Sequence, residues 1–160
     1  ALMYACDRND AKDMIHQWIH EDKFVLVDRY VISNIAFQCA KMDSQHGVEE
    51  LKRWILELEY GKNKLPVPDL NLFLNVPFEF TKKQLSGARK GNDRDYLKGR
   101  QDIHEDNLTF QENVRNIYLS LQGKIQGFEV LNCTGSNGQM LSPDEIFSKI
   151  KAYVFKSVRL

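Results

Sequence analysis

Apolar and polar positions alternate along this chain with two periods, and the switches between them divide it into strands and helices. Phe24-Val25-Leu26-Val27 is a continuous apolar run that predicts a strand over 24–30, buried on both faces as in parallel sheets. It stops abruptly at Asp28 and Arg29. Pro66-Val67-Pro68-Asp69 is a rigid extended turn, because proline cannot propagate a helix and restricts the residue before it. It delivers a second strand over 70–76, ended by Pro77, and the run from Gly127 to Cys133 predicts a third over 127–133. Helical periodicity fills the rest. A helix over 1–21 carries Met14, Ile15, Trp18 and Ile19 on one stripe. Another over 33–41 starts at Ser33 or Asn34, and one over 48–59 carries Leu51, Trp54, Ile55 and Leu58, with Gly61 and Asn63 ending it. Helices follow over 78–85 and 107–122. The last opens on Ser142-Pro143-Asp144-Glu145, a serine cap, a proline at the first position and a glutamate that completes a capping box. Strand, short loop and helix recur in the rhythm of an α/β fold with a parallel sheet flanked by helices.

Residues 86–105 break that rhythm. They hold Arg89, Lys90, Arg94, Lys98 and Arg100 among several glycines and acids, as either a binding lid or a solvated connection would. With 42% hydrophobic residues, the 160-residue chain fits one globular domain over 1–160. Lys plus Arg and Asp plus Glu both number 22, so zero net charge removes the broad electrostatic case for a nucleic-acid partner. The 3 cysteines show no C-x-x-C spacing, and no apolar run is long enough to span a bilayer, which together predict a cytoplasmic protein without a membrane partner. Ala1 falls inside a helical pattern with no cap before it, which leads us to expect further residues upstream.

Three clusters carry candidate chemistry. Asp28-Arg29 stands at the carboxyl end of a predicted strand, where open α/β sheets bind ligands, as either a loop-clamping salt bridge or a phosphate-handling pair. Tyr4 and Arg8, at i and i+4, form either a stacking face with a hydrogen-bonding arm or a packed tyrosine under a surface arginine. His16 and His20 share that spacing, but Gln17 breaks the zinc pattern H-E-x-x-H, so no metal site is expected among these residues.

The segments also resemble a known family. Leu2-Met3-Tyr4-Ala5-Cys6-Asp7-Arg8 is similar to the L-x-F-x-x-x-R segment of thymidylate kinases, which phosphorylate dTMP with ATP. The run from Asp28 to Gln38 resembles their D-R-Y-x-x-S-x-x-A-Y/F-Q signature, Pro68-Asp69-Leu70 their P-D-L segment, and Asp102-Ile103-His104-Glu105 their lid exit. The resemblance implies a three-layer P-loop kinase fold, ATP and Mg²⁺ as cofactors, and a homodimer formed through the helices flanking the substrate. By position, Arg29 would hold the dTMP phosphate, with Asp28 either orienting it or helping to place Mg²⁺ through water. Tyr4 would stack on thymine and Arg8 would reach a base carbonyl. Ser33 falls in the signature, Asn34 and Gln38 would meet the base edge, and Phe37 would lie against the deoxyribose. Glu105 would approach the sugar. Arg89, Arg94 and Arg100 would cover ATP and the transferred group, Arg89 and Arg94 as its binders, and His104 stands where relatives carry tyrosine. G-x-x-x-x-G-K-[ST] occurs nowhere in these residues, so the N-terminal strand and P-loop are expected ahead of Ala1. A kinase for another nucleoside monophosphate and a non-catalytic nucleotide-binding module are the alternatives.

Overall fold

In the computed structural model, residues 1–86 and 108–157 are described, and the chain forms two compact units, Ala1–Pro68 and Asp69–Leu160. The first is helical: α1 (Leu2–His20), α2 (Val31–Cys39) and α3 (Gln45–Leu56), the last running into a wider π-helical turn, Glu57–Lys62. α2 packs against both α1 and α3. Its Val31, Ile35 and Ala36 are fully buried, with Ala5 and Ile15 of α1, Ile55 of α3 and Leu65 completing the core. α3 begins earlier than its periodicity predicts, because Ser44 caps it by accepting a hydrogen bond from the Gly47 amide at 3.1 Å.

Residues 24–30 form no strand, a correction to the sequence reading. Phe24 and Val27 are exposed, Leu26 is 86% exposed, and no described strand lies alongside them. An apolar run becomes a strand only where a neighbour takes its N–H and C=O groups. The helix that follows starts at Val31 rather than at Ser33 or Asn34. Tyr30 holds the cap position in extended backbone without a side-chain cap bond, and Asn34 is drawn inside α2, where its amide has partners on other elements.

The second unit contains β1 (Asn71–Asn75), α4 (Phe78–Ser86), α5 (Leu108–Leu121), β2 (Phe128–Asn132) and α6 (Pro143–Ser157). β1 and β2 pair in parallel, in register from Asn71↔Phe128 to Asn75↔Asn132. The rings of Phe73 and Tyr118 stack at 4.3 Å between centroids, which seats α5 on β1. Leu131, Cys133 and Ile146 form a buried core, with Leu72, Val76, Met140 and Ile150 packed against it. The capping box of α6 forms as its residues predict: Glu145 Oε2 accepts from Ser142 Oγ at 2.7 Å and from the Ser142 amide at 2.9 Å. Those bonds hold the Glu145 carboxyl below its usual value. Beyond Ser86, the expected lid with Arg89, Arg94, Arg100, His104 and Glu105 lies outside the described residues.

Among the described residues, no helix is long and apolar enough to cross a membrane. All 3 cysteines are free, Cys6 exposed and the other two buried. Burial pushes the Cys39 thiol up to about 11 and raises that of Cys133 as well. Titration with Ellman's reagent at pH 8 is therefore expected to show Cys6 reacting at once and Cys39 and Cys133 only on unfolding. Three fast thiols in the native chain would contradict the packing around α2 and β2.

Candidate functional site

In the first unit, side chains from three elements meet at one carboxylate. Arg8 donates from Nε to Glu59 Oε2 at 2.5 Å and from Nη2 to Oε1 at 2.7 Å, so its fork takes both oxygens. Glu59 is fully buried, and the Arg8 side chain is 15% exposed. Asn34, 5% exposed, donates from Nδ2 to Glu59 Oε1 at 2.8 Å and to the Ala1 carbonyl at 3.2 Å. Its Oδ1 is buried and has no hydrogen-bond partner. Glu59 sits on the π turn, whose wider winding shows in the bond from the Asn63 amide to the Leu58 carbonyl at 2.8 Å.

Glu59 was not among the residues singled out from sequence. Leu51, Ile55 and Glu59 recur every four residues, so an acid stands in the apolar stripe of α3. That acid within a buried face was the available signal. The tyrosines beside it respond to the same burial. Tyr30, whose hydroxyl donates to the Pro66 carbonyl at 3.2 Å, is pushed up to about 12 by desolvation, with Arg8 lowering and Glu59 raising it. Tyr60 is raised too, by burial first and then by Tyr30 and Glu59.

The Asp28-Arg29 pair is arranged differently from its sequence expectation. Among the described residues, no ion pair joins Asp28 to Arg29, and both are exposed. The Arg29 guanidinium carbon instead lies 5.2 Å from the centroid of the Phe37 ring. Phe37 stands two turns into α2. Arg29 takes a left-handed backbone, φ +64°, which costs a residue with a Cβ about 1 kcal/mol. Tyr4 is 59% exposed on α1, one turn before Arg8, while Ser33, Phe37 and Gln38 are half-buried on α2. His16 is occupied elsewhere, Nε2 lying 3.1 Å from the Lys64 carbonyl. Among the described residues, no three His, Cys, Asp or Glu side chains come together as a metal site.

The second unit has its own polar cluster at the carboxyl ends of both strands. Asn75 donates from Nδ2 to Asn132 Oδ1 at 2.7 Å and accepts from Arg115 Nε at 2.8 Å, while Lys149 Nζ donates to the Asn132 carbonyl at 3.3 Å. These bonds tie α5 and α6 to the end of the sheet.

A family model described as Thymidylate kinase matches residues 1–139. The chain is similar to the thymidylate kinase of Ligilactobacillus salivarius, 32% identical over 123 residues that cover 76% of this chain and 52% of the relative. It is 29% identical to that of Lactobacillus helveticus over 123 residues, covering 76% and 52%. It is 27% identical to that of Mycobacterium tuberculosis over 121 residues, covering 76% and 54%. The chain thus spans about half the length of these curated relatives.

Proposed function

The chain belongs to the thymidylate kinase family, a family of P-loop kinase fold, and we propose that it carries the acceptor side of a site that transfers the γ-phosphoryl group of ATP to dTMP, giving dTDP. The observation that supports this most directly is Arg29, exposed over Phe37 at the start of α2. A planar fork there can hold a phosphate through two hydrogen bonds, and the start of a helix with no side-chain cap favours an anion beside it. Tyr4 offers an exposed ring for stacking on thymine. Arg8, with Nε and one Nη2 hydrogen bound to Glu59, keeps Nη1 for a base carbonyl. Phe37 and half-buried Gln38 line the same helix, where Phe37 disfavours a 2′-hydroxyl that finds no partner.

Bound ATP supplies the phosphoryl group, and Mg²⁺ neutralises phosphate charge. The described residues do not compose a site for either. G-x-x-x-x-G-K-[ST] is absent from the 160 residues, and Arg89, Arg94, Arg100 and Glu105 stay with the reading only by resemblance. A cytoplasmic location and a homodimer belong to the same reading.

Calorimetric titration of the chain with dTMP is expected to give saturable binding at one site, weaker for UMP. An assay with ATP, Mg²⁺ and dTMP is expected to form ADP and dTDP. A folded chain that fails to bind dTMP would sink the acceptor assignment. Binding without transfer would instead support a nucleotide-binding module.

A further inference from the structure

We propose that Glu59 is a positioning residue for base selectivity: it fixes which face of the Asn34 amide, and which nitrogen of Arg8, is left for the pyrimidine edge. This rests on the acceptor-site reading above. The Glu59 carboxylate and the Ala1 carbonyl only accept hydrogen bonds, so both Nδ2 hydrogens of Asn34 are committed, at 2.8 and 3.2 Å. Rotating the amide by half a turn would set Oδ1 against two acceptors at once. Oδ1 is therefore held as an acceptor, and among the described residues it is a buried side-chain atom without a partner. Glu59 also takes Nε and Nη2 of Arg8, which directs Nη1 outward as a donor.

An acceptor fixed beside a donor complements one pattern and opposes its inverse. Thymine presents N3–H as donor and O4 as acceptor. Cytosine presents N3 as acceptor and its 4-amino group as donor. A thymine edge satisfies Asn34 Oδ1, and a cytosine edge leaves that atom and N3 facing each other with no proton between them. Asn34 donates to the carbonyl of Ala1, so the start of α1 lies beside the amide. Oδ1 is closed to solvent in the free chain, so contact with a base requires the residues that cover it to move. The buried carboxylate thus sets base choice without touching the base.

The test is Glu59→Gln, close in volume and shape. A glutamine at this position can turn its Nε2 toward Asn34, which removes one of the two acceptors that hold the amide and leaves the Ala1 carbonyl as the other. Calorimetry with dTMP and dCMP is expected to show the wild-type preference for dTMP falling by about tenfold or more. Thymidine and deoxycytidine should show the same loss, because the phosphate is not involved. A merely structural role would weaken both ligands alike and leave the ratio unchanged, and that result overturns the assignment. If Glu59→Gln does not fold, Glu59→Asp, which keeps a charge for Arg8 but withdraws the carboxylate from Asn34, is expected to lower the ratio in the same direction. Failure of both to fold makes Glu59 structural and also overturns it. Wild-type chain that binds no dTMP fails the acceptor reading itself. Selective wild type with an equally selective variant fails only the role of Glu59.

Discussion

Arg8→Ala is expected to destabilise the chain by about 3–5 kcal/mol, because it leaves the carboxylate of Glu59 buried with no cation. Glu59 is fully buried, and the fork of Arg8 occupies both of its oxygens. Asn34 alone would remain as a donor, through one hydrogen bond to Oε1. A loss of this size is a large part of the roughly 5–15 kcal/mol that holds an ordinary domain folded. The double variant Arg8→Met/Glu59→Met should lose much less than Arg8→Met or Glu59→Met alone, since the desolvation cost of both charges disappears with them. Urea denaturation of the four chains completes the cycle. An Arg8→Ala loss below about 1 kcal/mol, the value of an exposed pair, would show that the carboxylate is not buried as described.

Arg29→Met is expected to do the reverse. Its side chain is exposed, and its described contact is the face of Phe37, worth about 0.5–1 kcal/mol. Stability should therefore change by no more than about 1 kcal/mol. Methionine also keeps the Cβ, so the cost of the left-handed backbone at φ +64° is the same in both chains. Glycine would relieve that cost and confuse the comparison. Affinity for dTMP should fall about a hundredfold, the equivalent of two charge-assisted hydrogen bonds to a phosphate. Affinity for thymidine, which has no phosphate, should be nearly unchanged. Equal losses for both ligands would move Arg29 away from the phosphate. Two arginines in one unit thus separate cleanly, one measured by stability and the other by ligand.

The helices were legible because their cues are local. Ser142-Pro143-Asp144-Glu145 states its own capping box, and the bonds between Ser142 and Glu145 are those its spacing requires. Strands 70–76 and 127–133 were legible from apolar runs set off by proline or glycine, and they pair in parallel as such runs do. The segment 24–30 has the same kind of sequence and forms no strand, since a ladder belongs to two segments and only one is written in any run of residues. The candidate ligand residues Tyr4, Arg8, Arg29, Asn34 and Phe37 could all be named from motifs. Their partners could not.

Composition and periodicity by themselves determined the α/β class and the places of most elements, and short motifs resembling a known family pointed to it, because each is carried by residues close together in the chain. Tertiary structure alone decided that Arg8 binds Glu59, that Asn34 stands inside α2 with its Oδ1 unpartnered, and that Arg29 rests on Phe37 rather than on Asp28. Arg8 and Glu59 are 51 residues apart. Their meeting depends on how α1 and the turn after α3 pack around α2, and burial there turns an acid in an apolar stripe into the group that organises its neighbours.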